Sequence, residues 1–243
     1  DGGSATSLYE IGTNLSLNPI ETGDSTLVGY WNFEEGSGAT VYDRSGNGQD
    51  VSFFGTQTGT NGYYSPGKAG SLAGTFDGST NYASASSTNL LSLTTSGSLS
   101  AWVKRSEIVN KNLTIVGKSI SGSSIANISY ILQVEYSAGY PGLYLSSGSL
   151  GLVTTKTAAW NTNWHHITGT WNGSSVIVYV DGVAGNPSSQ TVNAQINSSH
   201  PLLLGSIKAD GTGGNFGGLI DDVRIYNRAL SAAEVLALYN GTK

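Results

Sequence analysis

Short alternating apolar runs, cut at regular intervals by turn dipeptides, constrain this chain more than any other feature. The clearest case is WHHITGTWNGSSVIVYVDGVAG, residues 164–185. Two alternating runs flank Asn172-Gly173, and the second ends at Asp181-Gly182. Asn-Gly and Asp-Gly pairs accept the positive φ that a tight reversal needs. The same punctuation recurs in AGTFDGSTNYASAS, read as a hairpin turning at Asp77-Gly78, and in DRSGNG around Asn47. About a dozen such runs, with a turn signal every ~8–12 residues, predict a β-sandwich. The 34 glycines of 243 residues fit that reading and argue against long helices. One helix is predicted, over SAAEVLALY. Ser231 and Glu234 stand at capping-box spacing, and Leu230, Val235, Leu238 and Tyr239 share a face. The expected class is all-β: two antiparallel sheets packed face to face with one short C-terminal helix.

Residues 1–26 are polar and rich in Gly and Ser/Thr, and read as a linker or an N-terminal strap; residues 27–243 read as one domain. A net charge of −5 with no Lys/Arg-rich stretch argues against nucleic acid as a partner. No run of ~18 apolar residues occurs, so this segment is not expected to insert into a membrane. With no cysteine, the chain can hold no disulfide, no Cys-based zinc site and no thiol nucleophile. Few charges and abundant Ser, Thr and Asn suit an extracellular or cell-surface bacterial protein. Six Asn-x-Ser/Thr triplets in so Asn-rich a chain read as coincidence.

Five stretches, GYWNFEEGSGATVYDRSGNG, FDGSTNYAS, SLSAWVK, WHHITGTWNGSSVIVYVDG and GGLIDDVRIYNRALSAAEVLALY, occur in that order. Together they resemble the laminin-G-like, concanavalin A-like jelly-roll domains of bacterial surface proteins and glycoside hydrolases, from Leu27 to Tyr239. The resemblance implies a jelly-roll sandwich, often with a calcium ion, in a family whose members bind glycans, adhere to proteins or act as spacers. Residues 9–31 also resemble the approach to such domains in pilin-like surface proteins.

Asp221 and Asp222 interrupt a strand that otherwise reads as buried. In an unbroken strand Asp221 shares a face with Val223 and Ile225, and Asp222 with Arg224 and Tyr226. The resemblance extends to laminarinases and lichenases, whose similar last strand carries an Asp that holds a structural calcium; that position is Asp221 here. The calcium ligands expected with it are Asp222, Glu34, Asp43 and Asn47, because calcium takes six to eight oxygens from carboxylates and turn carbonyls. The competing expectation is that Asp43 and Asn47 only shape their turn, and that Asp222 pairs with Arg224 or Arg228 at the surface.

His165 is expected in the core and His166 at the surface. Among the seven glutamates none stands two or four residues from another, and none is followed by Asp two residues later. Glycosidases of this fold use two carboxylates on one strand, so no enzyme is expected. Aromatics in turns are the candidate sugar platforms: Tyr63, Tyr64, Tyr140 and Trp160. The sequence reading is a non-catalytic recognition module for polysaccharide or cell-surface glycan with a structural calcium. The alternative is an adhesive head of a surface or pilin-like protein, partnered by a surface protein and without a glycan ligand.

Overall fold

The computed structural model describes residues 24–86, 88–107, 111–119, 128–135, 139–146, 150–154, 161–187, 199–208 and 210–243. The first 23 residues, which carry nearly all of the expected linker or strap, lie outside them. In chain order the strands are β1 (Leu27–Trp31), β2 (Thr40–Val41), β3 (Val51–Phe54), β4 (Tyr64–Pro66), β5 (Leu72–Asp77) and β6 (Tyr82–Ala85). Then follow β7 (Gly97–Arg105), β8 (Leu113–Ser119), β9 (Ile128–Val134), β10 (Pro141–Ser146) and β11 (Leu150–Thr154). The last are β12 (Trp164–Trp171), β13 (Val176–Val180), β14 (Val183–Ala184), β15 (Leu202–Leu204) and β16 (Gly217–Tyr226), before helix α1 (Ala232–Thr242).

These strands form two antiparallel sheets. One runs β14-β13-β12-β7-β16-β5-β4, with β1 also paired to β16; the other runs β11-β10-β9-β8-β15-β6-β3-β2. The inward residues of both make one core, including Trp31, Phe33, Phe53, Leu99, Val103, Tyr130, Leu143, Trp171, Ile220 and Ile225. Period-two alternation produces this: Leu99, Ala101 and Val103 of β7 face inward, while Trp102 faces out. Two sheets burying one apolar face each is the sandwich that the turn spacing predicts.

The helix caps the outer face of the first sheet. Ser231 accepts from the Glu234 backbone N–H, and the Glu234 side chain accepts from the Ser231 backbone, so the capping box is formed. Val235 and Leu238 pack with Leu27, Tyr179, Tyr226 and Leu230 in a second cluster.

The segment around Asp77-Gly78 is not a hairpin. β5 belongs to the first sheet and β6 to the second, so the turn is a corner between sheets. Alternation marks strands but not their partners. The Asp77 carboxylate organises the corner by accepting from the backbone N–H groups of Ser79, Thr80 and Asn81. Burial opposes its charge, but the Thr80 hydroxyl and these N–H groups bring its carboxyl down to about 2.

Candidate functional site

β16 is the strand around which the site is built. β7 flanks one side along its length, whereas the other side changes partner. β5 pairs with Gly217–Ile220, and β1 pairs with Val223–Tyr226. The aspartates lie in the gap between those two neighbours. There the register against β7 shifts: Asp221 faces Trp102 and Arg224 faces Ser100, so Asp222 and Val223 together oppose Ala101. This is a β-bulge, with Asp222 at φ 53°, a left-handed conformation that Asp tolerates better than most residues.

The bulge overturns the facing expected of an unbroken strand. Val223 and Ile225 stay in the core with Ile220. Asp221 does not join them: its register partner Trp102 lies on the outer face, donating from Nε1 to Thr242 Oγ1 of the helix. Asp221 and Asp222 both lie on the helix side.

Each charge has its own compensation. Asp221 is fully buried, and its Oδ2 accepts from the backbone N–H groups of Lys68 and Ala69 at 2.8 Å each, in the β4–β5 loop. Its Oδ1 has no aligned donor. Burial pushes the Asp221 carboxyl up to about 7 in spite of the two N–H groups. Asp222 Oδ2 lies 2.6 Å from Arg224 Nη1, with both side chains almost wholly buried. The pair expected at the surface is therefore a buried one. Burial raises the Asp222 carboxyl above its usual range against the pull of Arg224. Burial also acts against Arg224, but Asp222 and Tyr30 more than offset it, and its guanidinium is raised. At 2.6 Å the Arg224 guanidinium offsets part of the cost of burying the Asp222 carboxylate. The Arg224 guanidinium also stacks 4.4 Å from the Tyr30 ring centroid.

Above these groups opens a cleft of about 400 Å³, bounded by β1, the β4–β5 loop and the end of α1. Tyr30, Asn32, Glu34, Lys68 and Arg224 line it. The Asn32 side-chain oxygen is buried and unpartnered. Glu34 Oε1 accepts from the Ser71 and Leu72 N–H groups, which fixes the loop. Asn32, Lys68 and Tyr30 went unnoticed in the sequence, because β1 and the β4–β5 loop are far from β16 along the chain. The Asp-Asp-x-Arg spacing was the one legible sign of Arg224.

The five residues expected to share a calcium ion do not converge. Asp43 spends both oxygens on its own turn and on β1, accepting from Ser45 N, Ser45 Oγ and Gln49 N and from Tyr30 N. Asn47 donates to the Leu27 carbonyl and to Ser45 Oγ. Asp222 and Glu34 line the cleft and Asp221 lies behind its Lys68-Ala69 wall, but no group of three or more acidic or histidine side chains is spaced for a metal among the described residues. Free oxygens are nevertheless present there: Asp221 Oδ1 and Asn32 Oδ1.

The expected aromatic platforms also change. Tyr63 and Tyr64 are 7% and 0% exposed and belong to the core, with Tyr63 stacked 4.6 Å from the Phe53 ring centroid. Gly and Asn neighbours make this stretch look like a turn, yet Tyr64 opens β4. Tyr140 is half-buried, and its carbonyl closes the β9–β10 loop by accepting from Glu135 N. Trp160 lies outside the described residues. The histidines exchange places. His166 is fully buried beneath α1, between Trp102 and Tyr239, with Nε2 2.9 Å from Ser100 Oγ. His165 is half-buried at the sandwich edge, with Nδ1 2.8 Å from Asp181 Oδ2.

A family model described as the concanavalin A-like lectin/glucanases superfamily matches residues 77–236. No curated protein matches the chain. Among solved structures, domain 4 of the extracellular GH43 arabinanase AbnA from Geobacillus stearothermophilus, in complex with arabinotriose, superposes with TM-score 0.68. It is 22% identical, over 88% of this chain and 98% of that one. The binding domain of botulinum neurotoxin DC, in complex with rat synaptotagmin II, gives TM-score 0.66 at 14% identity, over 90% of this chain and 52% of that one. Trypanosoma rangeli sialidase gives TM-score 0.62 at 16% identity, over 90% of this chain and 33% of that one. At these identities the likeness speaks for the fold.

Proposed function

The chain belongs to the concanavalin A-like lectin/glucanase superfamily, and on that premise we propose that residues 27–243 form a non-catalytic module that recognises glycans outside the cell. Family membership carries the reading. The arabinanase domain, matched over 98% of its length and holding arabinotriose, supports it at the level of ligand class.

The carboxylates argue against hydrolysis. Retaining and inverting glycosidases both need a protonated acid facing a second free carboxylate across the scissile bond. In the cleft, Glu34 is held by two backbone N–H groups, and Asp222 is 1% exposed and paired with Arg224. Both bonds to Glu34 fall on Oε1, Asp222 is neutralised by Arg224 and Asp221 is wholly buried, so the cleft does not set an accessible acid opposite a second free carboxylate.

Calcium belongs to the same proposal, with a changed ligand set. Asp221 Oδ1 and Asn32 Oδ1 would hold it, with Glu34 beside them and backbone carbonyls completing the shell. Asp43 and Asn47 have no part in it. The ion would neutralise the buried carboxylate and join the first strand to the last.

The neurotoxin binding domain, in complex with rat synaptotagmin II, favours a second reading: an adhesive surface module that binds a protein. A glycan array probed with the purified chain, in calcium and again in EDTA, separates the two. Saturable binding to a related set of glycans is expected. A folded sample that binds none in either buffer overturns the glycan reading in favour of the adhesive one.

A further inference from the structure

A second groove, of about 500 Å³, opens where the chain turns from β1 toward β2 and β3, on the other side of the Glu34-Glu35 pair from the cleft. Glu35, Tyr42, Arg44 and the backbone of residues 37–40 line it. Val41 is fully buried in the core, so the next residue, Tyr42, is turned outward and is 51% exposed. The Glu35 side chain is only 7% exposed. Its Oε1 accepts from the Tyr42 backbone N–H at 3.2 Å and from Arg44 Nη2 at 3.0 Å. Its Oε2 is buried and has no hydrogen-bond partner. Arg44 is thus anchored at one nitrogen, its side chain 46% exposed, with its guanidinium 5.9 Å from the Tyr42 ring centroid.

A buried carboxylate oxygen without a donor is unfavourable, and it is the feature of this groove that points to a ligand. Beside it stand an open ring face and a guanidinium fork with donors left over. An anionic ligand would meet the Glu35 charge. A wholly apolar ligand would leave Oε2 unpaired. A neutral sugar satisfies all three groups, because one face of its ring is apolar and its edge carries adjacent hydroxyls.

We propose that this groove is a subsite for a neutral saccharide, with the sugar face on Tyr42, Arg44 donating to a hydroxyl oxygen, and a neighbouring hydroxyl donating to Glu35 Oε2 after the side chains that cover it shift. The proposal rests on the glycan-recognition reading and says where on the molecule it happens. It replaces the aromatic platforms expected from the sequence with one that the fold exposes.

The test titrates the ¹⁵N-labelled chain with arabinotriose, xylotriose, cellotriose and maltotriose, then repeats the best ligand on Tyr42→Ala, Tyr42→Phe and Glu35→Gln. Amide shifts are expected at Tyr42, Arg44 and residues 37–40. Tyr42→Ala and Glu35→Gln should each weaken binding by about tenfold, and Tyr42→Phe should leave it within about twofold. Binding that persists unchanged in Tyr42→Ala and Glu35→Gln, or shifts confined to the cleft beneath α1, overturns the subsite and leaves glycan recognition standing. Wild-type chain that binds no sugar here or on the array overturns both. If Tyr42→Ala does not fold, the shift map and Glu35→Gln still decide.

Discussion

At the scale of single residues, the outer face of the first sheet is a layer of buried polar groups. His166 and Asp221 both flank Trp102 there, and their titrations work against each other. Burial and the Arg224 charge lower the His166 imidazole to about 3, with Asp181 opposing weakly. The unfolded chain therefore binds more protons than the native one between pH 3 and about 6.5, and stability from this residue is lost as pH falls through that window. Asp221 behaves oppositely. Its native carboxyl is near 7 against an unfolded value of 3.8, so it favours the native state as pH falls from 7 toward 4. Each contributes a slope of up to about 1.4 kcal/mol per pH unit. In calcium-free buffer, denaturation of the wild type should change little between pH 4.5 and 6. Asp221→Asn should lose stability on acidification, and His166→Gln should gain it. Parallel slopes in the two variants would refute the assignment. None of this was legible in the sequence. Strand alternation puts His165 inside and His166 outside, which is right for the direction of each side chain. It cannot know that a helix later in the chain covers the outer face.

At the scale of elements, α1 is what makes that outer layer an interior. It was the most legible element, because Ser231 and Glu234 announce its start and its apolar spacing names its buried face. Glu234 does more than cap: it lies 2.7 Å from Arg228, which also reaches Asp24 and Thr26 ahead of β1. Removing the cap hydroxyl in Ser231→Ala should cost about 1 kcal/mol, or roughly 2–4 °C in Tm for a domain of this size. A thermal melt that superposes on the wild type would refute the role of the cap. β16 was legible as a strand, and a bulge could be entertained there, but not placed. A bulge follows from its neighbours, here the change from β5 to β1 at Asp221, and that is a property of the sheet rather than of the segment. For the same reason the Asp77-Gly78 turn was found in the sequence while its crossing between sheets was not.

At the scale of the whole molecule, the cleft joins segments from opposite ends of the chain: β1, the β4–β5 loop, the β16 bulge and the end of α1. Two unpartnered oxygens remain there after Arg224 and the Lys68 and Ala69 N–H groups have been counted. The proposed calcium would act on the fold through that junction. An ion that binds only the native state stabilises it by RT ln(1 + [L]/Kd), about 2.7 kcal/mol at a hundredfold excess over Kd. The melting temperature should thus be higher in millimolar calcium than in EDTA. Asp221→Asn, which removes the ligating charge but keeps an acceptor for the loop N–H groups, should melt at one temperature in both buffers. A wild type that melts identically in calcium and EDTA would eliminate the metal. The loop N–H groups would then be all that offsets the burial of Asp221, which at neutral pH would be held near its midpoint of titration.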